Sequence, residues 1–500
     1  RCSGPPLRFP IPVSRFPQYN PGPSNHPMDL FATPQELNAA LDRSETVRRD
    51  GRWAVVDPAR FRDEAIEGLV WTAVFGKGEV REAAGRAIRE AASSLGILPA
   101  SILPLYEALG RGEVSGFTVP AVNIRMLSYD TARAIFCAAR SLEAGALIFE
   151  IARSEIGYTE QRPAEYAAVV LAAAIREGWQ GPLFLQGDHY QTNPKKMKEN
   201  PEKEIRAIEA LIEEAIPAGF FQIDIDTSTL VDLSQPTLEE QQRVNAELAA
   251  RFTKFIRSRE PRQMPISVGG EIGEVGKANS TPEELRAYVE GYRRALGGVR
   301  GLSKVSIQTG SSHGGVVGPD GTVQRVSIDF ETLRRISRVA REEYGMAGAV
   351  QHGASTLPAE FFGHFPDHEC AEIHLATEFQ NMVYDHPSLP LPLKREVERW
   401  LFQQKASERK AGETESQFLY KNRKLAIGPF KEQFWNLPEG TRESIRVSLE
   451  RKFTFLFEKL RIGQTRELVR RYVKPVNVSE PAQVPAGAAS GYVRDDRAGD

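Results

Sequence analysis

The feature that most constrains this chain is an alternation. Eight short apolar runs, each bounded by turn residues, are separated by amphipathic helical patterns. The runs are 117–123 (FTVPAVN), 146–151 (ALIFEI), 182–187 (PLFLQG), 220–226 (FFQIDID), 265–270 (PISVGG), 304–308 (KVSIQ), 348–351 (GAVQ) and 370–375 (CAEIHL). Helical patterns cover 129–143, 164–177, 202–216, 238–257, 282–296 and 331–344; only the connection between the seventh and eighth runs lacks a clear long helix. Strands alternating with helices predict parallel pairing through right-handed crossovers. Eight such units in about 260 residues suit a TIM (β/α)8 barrel better than an open doubly wound sheet, which is the alternative.

The flanks read differently. Amphipathic stretches such as 79–94 predict a helical N-terminal extension over 28–112, and 440–461 predicts a C-terminal helical region over 395–475. The barrel then occupies 113–394. Residues 476–500 read as a disordered tail. Residues 1–27 carry eight prolines and no acid, and lack the apolar core of a secretory signal. The expectation is that they are not native or are disordered, with translation starting at Met28; N-terminal sequencing of native material decides this.

Composition narrows the function. Lys+Arg of 64 against Asp+Glu of 66 argues against a nucleic-acid or membrane-surface footprint. No window approaches the apolar length of a membrane helix. Three cysteines give no disulfide framework and no CxxC cage. A reducing, cytoplasmic setting is expected, with a small-molecule substrate.

In such barrels chemistry sits at the C-terminal strand ends. The polar residues there are Asn123, Ser154, Asp188, His189, Asp224, Asp226, Glu271, His313, His352 and His374. Three of the eight histidines, His189, His313 and His352, close separate strands within GDHY, SSHGG and QHGAS. Three imidazoles converging on one mouth would supply the protein ligands of an open zinc site, against the plainer reading that each caps a strand. Asp224 and Asp226 point the same way because strand side chains alternate with period two. Asp226 is in a position to reach a cation; a solvated strand end is the alternative. Asp188 and His189 are adjacent, so a regular strand would send them to opposite faces; a bend at the strand end would let both face one substrate. His364, His368 and His386 read as surface residues, and Lys195, Lys196 and Lys198 as a solvated face. The glycine-rich stretch 310–321 reads as an oxyanion-binding loop or a lid.

Taken in order, these segments resemble the class II (metal-dependent) fructose- and tagatose-bisphosphate aldolase family. FTVPAVNI, FEIARSEIG, LQGDHY, QIDIDTS, GGEIGEVG, IQTGSSHGG and VQHGAS resemble the successive strand-end motifs, and NRKLAIGPFKE resembles a C-terminal segment. The resemblance spans roughly 115–465 and implies roles. His189, His313 and His352 would bind zinc or another divalent cation, with Glu271 and Asp226 near the metal. Asp188 would be the acid/base, and Glu274 is a candidate second proton donor. Asn123, Ser154, Gly314, Gly353, Ser355, His374 and Thr377 would contact the substrate.

The implied activity is that of a lyase, cleaving or forming a carbon–carbon bond in a ketose or ketose phosphate through a metal-stabilised enediolate. The alternatives are a metal-dependent sugar or sugar-phosphate epimerase or isomerase, and a non-catalytic aldolase-like subunit. A homodimer or larger homo-oligomer is expected by the same resemblance. The eighth strand departs from the family's pattern: EIHLATEF carries Glu372, His374 and Ala376 where the family has Lys, Asn and a phosphate-contacting Asp. A phosphate close to Glu372 would be repelled.

Overall fold

The computed structural model describes residues 30–273, 278–310, 316–317, 323–324 and 328–476. Eight parallel strands close into a barrel. They are β1 (Val119–Asn123), β2 (Ile148–Ala152), β3 (Leu185–Gln191), β4 (Phe220–Asp226), β5 (Ser267–Glu271), β6 (Lys304–Ile307), β7 (Ala349–Gln351) and β8 (Glu372–Leu375). Closure is made where β8 pairs with β1, Glu372 opposite Val119 and Leu375 opposite Val122. All eight apolar runs became barrel strands, and the open-sheet alternative falls.

Local chemistry explains the elements between them. The helix Pro282–Leu296 opens on a capping box, in which Thr281 accepts from the Glu284 N–H and Glu284 reaches back to the Thr281 N–H. The helix Pro201–Ala218 starts at Asn200-Pro201 and ends at Gly219, whose φ of +99° turns the chain directly into β4.

The third run, expected over 182–187, divides in two. Gly181–Leu183 pairs in parallel with Ile97–Pro99 outside the barrel, and β3 then runs on through Gln191. The apolar run ends at Gly187, where Asp188 and His189 follow. This barrel accepts polar side chains inside, so the strand continues past it.

The N-terminal extension is not purely helical. Val47–Asp50 and Arg52–Val55 form an antiparallel hairpin, reversing at Gly51 with φ +71°. Charged residues hid it, because its faces do not alternate cleanly. The helix Leu103–Gly110 lies across the N-terminal end of the barrel. The Ile102 N–H donates to Gln222 Oε1 at 2.9 Å, and the Tyr106 hydroxyl donates to Glu372.

At the C-terminal side, the helix Glu439–Lys459 packs on the helix Ser128–Ser141. Its fully buried Arg442 pairs with Asp130 at 3.2 Å and stands over the Trp71 ring. Trp71 meets Trp435 edge-on at 5.0 Å. N-terminal, barrel and C-terminal residues thus share one contact. Among the described residues, no helix is long and apolar enough to cross a membrane.

Candidate active site

The site is built from an irregularity in β3. Pairing with β4 slips between Gly187 and Tyr190, and His189 adopts φ +39°. That left-handed residue cancels one strand alternation. Asp188 and His189 therefore both face the barrel mouth. Gly187 is required here, because a Cβ would lie 2.5 Å from the Tyr190 ring.

His189 stands at the centre of an upper cluster. Its Nδ1 is 3.1 Å from Asp226 Oδ2 and 3.5 Å from Glu271 Oε2, and its Nε2 is 2.7 Å from His352 Nδ1. His352 Nε2 meets Ser306 Oγ at 3.0 Å. Burial opposes charge on His189, but Asp188, Asp226 and Glu271 outweigh it and hold the imidazolium well above its ordinary range. Burial would raise Asp226, yet hydrogen bonds from His189, Ser228 and Gln191 hold it below the usual carboxylate range. Burial, reinforced by Asp226, pushes Glu271 well up.

His374 joins this cluster to a second one beneath it. Its ring centroid lies 4.1 Å from that of His352. Nδ1 is 3.0 Å from Glu150 Oε2 and 3.2 Å from Asp188 Oδ1, while Nε2 is 2.6 Å from Glu372 Oε1. Burial works against its charge, but Glu150 and Asp188 raise it well above the ordinary value. Burial pushes Glu150 up to about 8.

The lower cluster fills the barrel interior. Lys304 Nζ is 2.8 Å from Asp224 Oδ2 and 2.7 Å from Gln186 Oε1, and pairs with Glu372. Gln186 Nε2 donates to both Glu150 and Glu372 at 3.0 Å. Glu150, Asp224, Lys304 and Glu372 come from β2, β4, β6 and β8, the alternate-strand pattern of a barrel layer that ordinarily holds branched aliphatics. Gly269 makes the room: a Cβ there would lie 2.3 Å from Asp224 Oδ1 and 2.9 Å from Lys304 Cε. Repulsion is expected only for a phosphate lying close to Glu372, and the structure withdraws that carboxylate into the barrel. Glu372 is fully buried against Lys304, which, against the cost of burial, draws its pKa below the usual range.

The donor set of the upper cluster fits a divalent cation. Ligand atoms of His189, Glu271 and His352 lie within 4.8 Å of one another, as do those of Asp188, His352 and His374. Imidazole nitrogen with carboxylate oxygen is the chemistry of zinc and similar ions. Asp226 on His189 and Ser306 on His352 stand where outer partners orient such ligands. Asp224, Glu372 and His374 form a third triple, but the Lys304 ammonium already sits among those oxygens.

Asn123, Asp188, His189, His352, Gly353, Ser355, His374 and Thr377 line one cavity. Ser154 is half-buried and lies outside that lining, which its neighbour Glu155 enters instead. His313, Gly314 and Glu274 lie outside the described residues. Glu150, Arg125 and Glu155 also line the cavity and were not singled out in the sequence. A glutamate in the middle of ALIFEI was the available signal for the first. Lys304 read only as the first residue of a strand.

The family described as fructose-bisphosphate aldolase class-II matches residues 104–432. The chain belongs to that family. Among solved structures, the fructuronate-tagaturonate epimerase UxaE from Cohnella laeviribosi is 11% identical, with TM-score 0.50, over 69% of this chain and 81% of that one. Fructose-bisphosphate aldolase from Campylobacter jejuni is 16% identical, TM-score 0.43, over 74% and 96%. The YdjI aldolase from Escherichia coli K12 is 14% identical, TM-score 0.38, over 68% and 99%. The first of these is a likeness of fold. No curated protein matches the chain.

Proposed function

We propose that this chain is a divalent-cation-dependent lyase that breaks or forms a carbon–carbon bond beside the carbonyl of a ketose or ketose phosphate. The observation that carries the reading is one cavity lined by Asp188, His189 and His352, the two histidines being clustered with Glu271. His189, His352 and Glu271 would hold the ion, with zinc expected, His313 as a further ligand and Asp226 in support. Bound there, a divalent ion supplies Lewis acidity for the charge that develops when the bond breaks.

The residues of the chain do the rest. Asp188 removes the proton from the hydroxyl on the carbon whose bond breaks, and the bonding pair passes to the carbonyl carbon's neighbour to give an enediolate. His374, 3.2 Å from Asp188 and 3.0 Å from Glu150, keeps the Asp188 carboxylate oriented. A second acid must protonate the enediolate carbon, and Glu274 remains the proposed donor. Asn123, Gly353, Ser355 and Thr377 line the cavity where the ketose would lie; Ser154 and Gly314 are further proposed contacts. A homodimer or larger oligomer belongs to the same proposal.

The test is retro-aldol turnover of a ketose and ketose-phosphate panel by zinc-reconstituted protein, with metal content measured in parallel. Stoichiometric zinc and chelator-sensitive aldehyde release are expected. Zinc below about 0.1 equivalent would move the reading to a non-catalytic subunit, given the multi-ligand site proposed. One observation favours a second reading. The pair Glu150–His374 places another proton carrier on the same cavity wall, which suits epimerisation or isomerisation. Recovery of a stereoisomer with no aldehyde would select it.

A further inference from the structure

Arg125, two residues beyond β1, is a buried cation in the wall of this cavity. Its side chain is 5% exposed. Nε donates to Glu155 Oε1 at 2.7 Å, and Nη2 lies 2.6 Å from the same oxygen. Nη1 reaches towards Thr377 Oγ1 at 3.4 Å, so the guanidinium spans the corner between β1 and β8. Glu155 is fixed in turn by Asn123 Nδ2 and by the Ala152 N–H at 2.7 Å. The arginine plane is thus set on one side by a carboxylate that is itself tied to two strand ends.

Stability is a weak reason for such a pair. Taking two charges out of water costs about as much as their attraction returns, and apolar side chains would pack as well. A guanidinium held rigid in a cavity wall is the common means of binding a planar anionic oxygen group. Another segment of the wall is Gly353, Ser355, Ala376 and Thr377, at the ends of β7 and β8. That segment brings hydroxyls and no carboxylate; the carboxylates of the lining are Glu150, Glu155 and Asp188, of which Glu155 is the one paired with Arg125.

We propose that Arg125 is a specificity-determining residue that holds an anionic oxygen group of the substrate, a carboxylate or a phosphate, at the β1–β8 corner. This rests on reading the cavity as the active site. The competing role is a brace that ties the β1 loop to the helix after β2. A brace would support neutral and anionic ligands alike.

The experiment is calorimetric titration of the zinc-reconstituted full chain with fructose, fructose 6-phosphate and fructuronate. These probes share one ketose skeleton and carry a hydroxyl, a phosphate or a carboxylate at the same carbon. At least one anionic probe should bind about tenfold or more tightly than fructose, the scale of one hydrogen bond to a charged group. Which of the two wins identifies the group. Arg125→Gln should bring that preference to within about twofold, leaving zinc content unchanged.

Because Arg125→Gln strands Glu155, the double variant Arg125→Met with Glu155→Met is measured alongside it, and its preference must vanish too. Equal affinity of the wild type for all three probes overturns the proposal, as does a preference that survives in either folded variant. Arg125-dependent preference without turnover of any probe would keep this inference and sink the lyase reading. Turnover with an unchanged preference in the variants would do the reverse.

Discussion

The upper and lower clusters of this barrel are made of the same materials and are balanced in different ways. The lower one gathers Glu372 and Asp224 around Lys304, a cation that is part of the chain. The upper one gathers Asp188, Asp226 and Glu271 around His189, His352 and His374, whose charge depends on protons or on a bound ion. The lower cluster is thereby a fixed structural charge. The upper one depends on what its histidines carry: protons or, in the proposed function, a divalent cation.

The largest expected effect tests the upper half. Asp188→Asn should lower kcat by about 10²–10⁴-fold with zinc content unchanged, since it removes the proposed acid/base and keeps the shape. Activity within threefold of wild type on an identified substrate would break the assignment.

Lys304→Met tests the fixed half. It leaves Asp224 and Glu372 buried without their ammonium, so stability should fall by about 3–5 kcal/mol in urea unfolding. The loss should be the same with and without chelator. A chelator-dependent loss would mean that the two clusters are one.

Next comes pH, in the metal-free protein. Glu150, raised to about 8 in the fold against an ordinary 4.5, binds its proton more tightly folded than unfolded. Its stabilising contribution is therefore full below about 4.5 and is lost as pH rises through about 8. The raised His189 and His374 act in the same direction, their contributions fading above the ordinary histidine range. Metal-free protein should melt lower at pH 9 than at pH 6, and Glu150→Gln should flatten part of that slope. Added zinc should reverse the trend, because its ligands must be deprotonated. A flat profile without metal would contradict the proton-carrying picture.

Smaller effects sharpen the contrast. Ser306→Ala should weaken zinc binding by about 10–100-fold through the freed His352 ring, measured by competition with a chromogenic chelator. Tyr106→Phe removes one donor to Glu372, which keeps Lys304, Gln186 and His374, and should cost about 1–2 kcal/mol without changing zinc affinity.

Much of this was legible in the chain. The spacing of Asp224 and Asp226 says that both point the same way, and they do, one to each cluster. Strand ends carrying His189, His313, His352, Glu271 and Asp226 were expected to converge; the barrel brings four of them together, and His313 lies outside the described residues. The common orientation of Asp188 and His189 was left to a bend; the left-handed His189 and the Tyr190 ring over Gly187 make it. Glu372 was misjudged, because its partner lies 68 residues away.

The sequence by itself determined the eight-unit alternation. With it came the closed parallel barrel and the rule that C-terminal strand ends share one mouth, since period and spacing are local properties. Only the tertiary structure decided which charge answers which. Lys304, Glu372, Asp224 and Gln186 sit on β6, β8, β4 and β3, and meet only when the sheet closes and turns alternate side chains onto one axis. Charge compensation in a barrel core is set across the barrel, where distance along the chain says nothing about distance in space.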